Sequence, residues 1–313
     1  MSVRTRSWIA LAACALLAGC GSEEPSATAP SAAPADVGAP GTASPSTAAN
    51  ATAEDPLPAA NGNVVEVTTE PPALPSILDV AIEPHTGDLD KALERRQVRM
   101  LVSMDRTHFF FDGGRMTGIT ADAIREFERW LNERLKQPKN LKVQAVIVPV
   151  RRDQLIPALL AGRGDVIATF LTATDERARQ VTFPTGGAIV NEVLVLPAGT
   201  PPPTAIEQLA GREIHVRRAS SYYESLVALN AKFAAAGLAP VRIVPLDENL
   251  NTDEALELLN AGLIPATVAD RYLANLWKGV LPGIQLVEAI RLRSDGRLSW
   301  AVRHDNPQLA KLV

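Results

Sequence analysis

Cysteine is almost missing: Cys14 and Cys20 are the only two in 313 residues, both within the first twenty. Whatever folds further along is therefore built without a disulfide framework. Aromatic side chains make up 4%, the net charge is −4, and no basic run occurs, which argues against a nucleic-acid partner and against an anionic-lipid patch. The four histidines (His85, His108, His215, His304) show no metal spacing, and neither H-E-x-x-H, G-x-S-x-G nor a phosphate-cradling glycine loop is present. No metal, no cofactor and no catalytic residue is expected. No internal repeat is visible.

What is present begins with an export signal. Arg4 and Arg6 precede an apolar run from Trp8 to Leu17, too short to span a bilayer but laid out as a secretory signal. It ends in Leu17-Ala18-Gly19-Cys20, which resembles the lipobox of bacterial lipoproteins. The resemblance implies removal of residues 1–19 and lipidation of Cys20, an anchor that needs no spanning helix. Gly21 rather than Asp follows the cysteine, which in that family points to the outer membrane. Residues 20–75 are rich in Ala, Pro, Ser, Thr and Gly; such a segment buries too little to offset its ordering entropy and reads as a tether.

From about Thr86 the chain alternates. Asp88 to Arg95 suits a short helix, Val98 to Ser103 a strand, and Asp112-Gly113-Gly114 a turn. Thr120 is placed to cap a helix carrying Ile124, Phe127, Leu131 and Leu135 at helical spacing. Strands follow around Val143–Ile147 and Asp165–Thr169, with a helix over Arg151–Leu160 between them. Strand and helix in turn make a parallel sheet with helices packed on it. Beyond Val193 the pattern repeats: strands near Val193–Leu196, Glu213–Val216, Val241–Val244 and Ile264–Val268, with helices from Ser221 and from Asp253. Ser221 to Glu224 reads as a capping box. Leu286–Ile290 and Leu298–Val302 would be two strands of a return to the first half. The expected architecture is α/β with two lobes and a hinge: lobe 1 over about 96–190 plus the C-terminal return, lobe 2 over about 191–285.

The polar stretch Thr172 to Arg177 follows the Asp165 strand, at the carboxyl end where open α/β sheets place ligands. It offers two hydroxyls and a guanidinium suited to a carboxylate. It equally suits an N-capped turn, with Thr174 as the cap.

Gly162-Arg163-Gly164-Asp165, the Thr172–Arg177 loop, Phe183, Ser220-Ser221 and Asp270 fall in an order that resembles solute-binding proteins of family 3, which have the two-lobed type II periplasmic-binding fold. Thr86 to Asp90, Arg106 to Phe110 and Val216 to Leu226 resemble more closely the non-catalytic domain of lytic transglycosylases similar to membrane-bound lytic murein transglycosylase F. The resemblance covers 86–313. It implies a ligand between the lobes: Arg177 clamping an α-carboxylate, Thr172 adding a hydroxyl, Ser220 and Ser221 presenting helix-start amides, Asp270 receiving an α-ammonium, and Asp105 a second donor. The implied partners are a small molecule (an amino acid, peptide or muropeptide), the membrane, and a permease or murein hydrolase.

The chain also departs from the amino-acid-binding pattern. Arg151-Arg152-Asp153 stands where those proteins carry an aromatic ring, and Pro184-Thr185-Gly186-Gly187 follows Phe183. Arg152 therefore joins the candidate ligand contacts, and a more anionic ligand such as a peptidoglycan stem peptide becomes the expectation. Arg152, Arg217 and Arg218 equally suit a solvated face. Glu224-Ser225 resembles the Glu-Ser pair of lytic transglycosylases but reads as a helix cap. In those relatives a lysozyme-like domain follows the binding domain; the residues here stop at Val313, after a helix start at Asn306-Pro307. The leading expectation is a lipid-anchored binding protein. The alternative is the binding half of a lytic transglycosylase.

Overall fold

The structure, a computed structural model, describes residues 83–313. The signal, Cys20 and the tether over 20–75 lie outside the described residues. Among the described residues no helix is long and apolar enough to cross a membrane.

Lobe 1 starts with α1 (Leu89–Arg95), β1 (Gln97–Val102) and a hairpin of β2 (Phe110–Asp112) and β3 (Arg115–Thr117). Then come α2 (Ile119–Arg134), β4 (Gln144–Pro149), α3 (Leu155–Leu160), β5 (Val166–Thr172) and the short α4 (Asp175–Ala178). β1 pairs in parallel with β4 and β5. Because strand side chains alternate, Val98, Met100 and Val102 meet Ile124, Phe127 and Leu131 of α2 on one face. Leu101 and Ile167 meet Leu155 and Leu159 of α3 on the other. Each fully buried chain of this size stabilises by about 1.5–3 kcal/mol.

Lobe 2 comprises β7 (Glu213–Arg217), α5 (Ser221–Ala235), β8 (Arg242–Leu246), α6 (Thr252–Asn260), β9 (Thr267–Asp270) and α7 (Arg271–Lys278). It is built the same way. Leu226, Leu229 and Phe233 of α5 cover Ile214, Val216 and Val268, while Leu256, Leu259 and Ala274 cover Val193, Val195 and Ala269.

Two long antiparallel strands join the lobes: β6 (Ala188–Pro197) and β10 (Ile284–Ala301). The two return strands expected from sequence are thus one. Its pairing with β6 slips three times between Val287 and Gly296, and bulges of this kind bend a strand. The whole sheet runs β4-β1-β5-β10-β6-β9-β7-β8. A last helix, α8 (Pro307–Ala310), has Pro307 in its first turn.

The Gly-Arg-Gly-Asp motif has a structural role. Asp165 is buried and receives Arg99 at 3.0 Å, Arg95 at 3.3 Å and Arg303 at 3.7 Å. Arg99 in turn donates to the carbonyls of Glu83 and His85, and Arg303 to those of Leu159, Gly164 and Gly87. The motif thereby ties both ends of the described chain to β1 and β5. A Cβ on Gly164 would lie 2.3 Å from Leu101 Cγ, so only glycine lets the turn pack there.

Two caps differ from expectation. α2 begins after Gly118, and Thr120 lies inside it, buried, rather than at its cap. α5 is capped by Ser220, whose hydroxyl accepts the Tyr223 N–H, so Ser221 is the first helical residue. Thr174 does cap α4, accepting the Arg177 N–H.

Candidate functional site

The lobes meet along a cleft at the carboxyl ends of β1, β5, β7 and β9, and the predicted residues fall into two groups along it. At one edge Arg177, 7% exposed, has every nitrogen engaged. Its Nη1 donates to the Thr172 carbonyl at 3.1 Å, its Nη2 to the Ala219 carbonyl at 2.9 Å, and its Nε faces Glu224 Oε1 at 3.2 Å. Burial lowers this guanidinium, and Glu224 counters that. The Ser221 hydroxyl donates across the lobes to Thr172 Oγ1 at 3.2 Å, and the Ser220 hydroxyl donates back to the Arg217 carbonyl. Arg177, Thr172, Ser220 and Ser221 thus meet one another across the lobe interface. The carboxylate that Arg177 meets is the chain's own Glu224, which is therefore an ion-pair partner rather than half of a capping box.

Away from that edge Asp270, Arg152 and Asp105 come together on the walls of a small cavity of about 30 Å³; Arg177 is not among its lining residues. Asp270, the last residue of β9, is 6% exposed, and its Oδ1 has no partner. Burial, with buried Glu192 opposite it in the β6–β9 register, pushes its carboxyl up to about 7. Arg217, the last residue of β7, is 5% exposed and also lines the cavity. Its Nη2 reaches Thr252 Oγ1 at 3.4 Å, and its Nη1 is buried without a partner. Burial, with Arg152 adding to it, lowers this guanidinium to about 10. Arg152 donates to the Phe170 carbonyl at 2.9 Å.

Asp105 turns its own loop, accepting the N–H groups of Thr107 and His108. It also holds His108 Nδ1 at 2.9 Å, while Nε2 of the same ring meets the Tyr272 hydroxyl at 2.7 Å across the lobes. Burial raises the Asp105 carboxyl, and the His108 contacts outweigh it and hold the group below its ordinary range.

Sequence reasoning set Arg217 beside Arg152 as equally suited to a solvated face, and it did not single out Tyr222, Tyr272 or Asp253. The available signal for Arg217 was its position at the carboxyl end of a strand, the same rule that located Arg177. Among the described residues no group of three or more His, Cys, Asp or Glu is placed to hold a metal ion.

An α/β pair of lobes around an interlobe cavity defines a two-lobed binding protein of the type II periplasmic fold. Residues 98–313 match the bacterial extracellular solute-binding proteins, family 3, and the chain belongs to that family. Among curated proteins, membrane-bound lytic murein transglycosylase F of Desulfosudis oleivorans is 32% identical over 151 residues, 48% of this chain and 32% of that protein. The protein of the same name from Shewanella pealeana is 26% identical over 198 residues, 63% of this chain and 38% of that protein. The match spans about a third of the length of these relatives. Among solved structures, an ancestral arginine-binding protein bound to arginine has a TM-score of 0.57 at 24% identity, over 70% of this chain and 89% of that one. Holo ArgBP from T. maritima has a TM-score of 0.56 at 23% identity, over 72% and 90%. These two share the fold.

Proposed function

We propose that this is a lipid-anchored solute-binding protein, held by Cys20 on the periplasmic face of the outer membrane, that captures a small zwitterionic or peptidic ligand between its lobes. What supports the reading is the pair of orphaned charges on one cavity wall: the Arg217 Nη1 and the Asp270 Oδ1, each buried and without a partner. An unpaired buried charge is costly, and a ligand carrying both a carboxylate and an ammonium satisfies both. Asp270 takes the ammonium, Arg217 and Arg152 the carboxylate, and Asp105 orders the loop beside them. At the other edge Arg177, Thr172, Ser220 and Ser221, with Glu224, hold the two lobes against each other.

A cavity of about 30 Å³ is far below the roughly 300–1,000 Å³ of small-molecule sites, so entry requires the lobes to part, and the bulged stretch of β10 is where they would hinge. The likeness to lytic transglycosylases favours amino acids and peptidoglycan-derived peptides as ligands, for uptake or for control of cell-wall turnover. A thermal-shift screen of amino acids and muropeptides tests this. A ligand at a hundred times its Kd adds about 2.7 kcal/mol of stability, and Asp270→Asn should abolish that gain. Absence of any shift across the panel would refute the reading.

A further inference from the structure

The sequence holds no basic run, yet the fold gathers basic side chains at one place. β1, β4 and β5 are parallel, with Gln97 level with Gln144 and Met100 level with Val166. Their amino ends therefore share one pole of lobe 1, opposite the cleft at their carboxyl ends. Arg96 stands just before β1, Lys139 and Lys142 just before β4, and Arg163 in the turn before β5. Lys136 opens the loop between α2 and β4. The Arg96 guanidinium donates to the Asn140 carbonyl at 3.3 Å, which draws the entry to β1 and that loop together.

All five cations are exposed, and among the described residues none pairs with a carboxylate. Nearby acids are mostly engaged. Glu94 is taken by Lys91, Asp88 caps α8, and Asp165 is buried under Arg99 and Arg303. Glu83, Asp90 and Glu133 are the exposed acids left to oppose them.

The backbone supplies a second observation. Arg96 and Lys136 have φ of 54° and 51°, in the left-handed region. Each follows a helix end where glycine fits best, so a cationic side chain stands here against the preference of the backbone. Beside the lysines Leu141 is 44% exposed, and Leu160, at the end of α3, is 47% exposed. Unpaired cations around apolar tips suit an anionic lipid surface. The course of the chain agrees with that partner. The segment leading from Cys20 enters lobe 1 at this pole, where Arg99 holds the carbonyls of Glu83 and His85, and the His85 N–H donates to the Gly162 carbonyl.

We propose that the amino-end pole of lobe 1 is a docking surface for anionic phospholipid, which seats the domain on the membrane with the cleft turned away from it. This rests on the reading that Cys20 anchors the chain, and it adds an orientation that a tether alone does not impose.

Vesicle flotation tests it, using the mature chain from residue 20 with Cys20→Ser, which carries no acyl group. The chain should partition onto vesicles of about one-third phosphatidylglycerol and not onto pure phosphatidylcholine, and about 0.5 M salt should release it. Each Lys or Arg near an anionic surface adds about fivefold to binding, so Lys139→Gln with Lys142→Gln should weaken partitioning about 25-fold. The matched pair Lys232→Gln with Lys278→Gln, exposed on α5 and α7 of lobe 2, should leave it unchanged. Equal partitioning onto both vesicles would overturn the proposal. So would equal losses from the two double variants, or retention by purified peptidoglycan and by neither vesicle. Each of these results leaves the anchor standing, because palmitate labelling of the wild type reads Cys20 acylation separately.

Discussion

Asp270→Asn should make the unliganded protein more stable, and only above a definite pH. In the unfolded chain this carboxyl titrates near its ordinary 3.8, whereas burial and Glu192 raise it to about 7 in the folded protein. Between those values the unfolded state has released its proton and the folded state still holds it. The wild type is therefore most favoured below about pH 4, loses stability as pH rises towards 7, and levels off above that. At ~1.36 kcal/mol per pH unit, the interval from 3.8 to about 7 corresponds to about 4 kcal/mol. Asparagine has no proton to lose, so the variant should match the wild type near pH 3.5 and exceed it by up to about 4 kcal/mol at pH 8. Urea unfolding followed by far-UV circular dichroism at both pH values gives the comparison. A difference that does not change with pH would refute the reasoning, and so would a variant less stable than the wild type at pH 8. On the proposed binding of an ammonium to Asp270, the charged form is the one that binds, so ligand affinity should rise from pH 6 to pH 8 in the wild type.

The Arg177–Glu224 pair should behave as a coupled unit, because Glu224→Gln strands a buried guanidinium. A double-mutant cycle with Arg177→Met should give a coupling of about 1–3 kcal/mol in urea unfolding, and additivity within about 0.5 kcal/mol would remove the interlobe ion pair from the account. Asp165→Asn should cost about 3–5 kcal/mol, because Arg99 and Arg303 then lose the one buried carboxylate that both face; a loss below about 1 kcal/mol in the same assay would show the cluster to be solvated.

The alternation of strand and helix was legible because Val98, Met100 and Val102, and Ile124, Phe127 and Leu131, carry their periodicity in the residues themselves. The cap of α5 was legible to within a residue: Ser220 and Ser221 are chemically identical, and only the backbone decides which one lies outside the helix. The single run of β10 was read as two strands because polar residues mark its hinge, where the pairing slips against β6. The Thr172–Arg177 loop was placed at a strand's carboxyl end, where the structure has it. What the sequence could not carry was partnership. Nothing local to Arg177 says that Glu224 arrives from the other lobe to meet it, and nothing local to Arg217 distinguishes a solvated guanidinium from one left unpaired in a cavity. Both facts depend on how the lobes face each other, which is set by the register of β6 and β10.

The capture of a zwitterion between Arg217 and Asp270 is most directly tested by calorimetric titration of the full chain with amino acids and muropeptides, repeated with Arg217→Ala. Saturable binding of one ligand per chain, lost in that variant, is the predicted result. Binding that survives intact without the Arg217 guanidinium would contradict it.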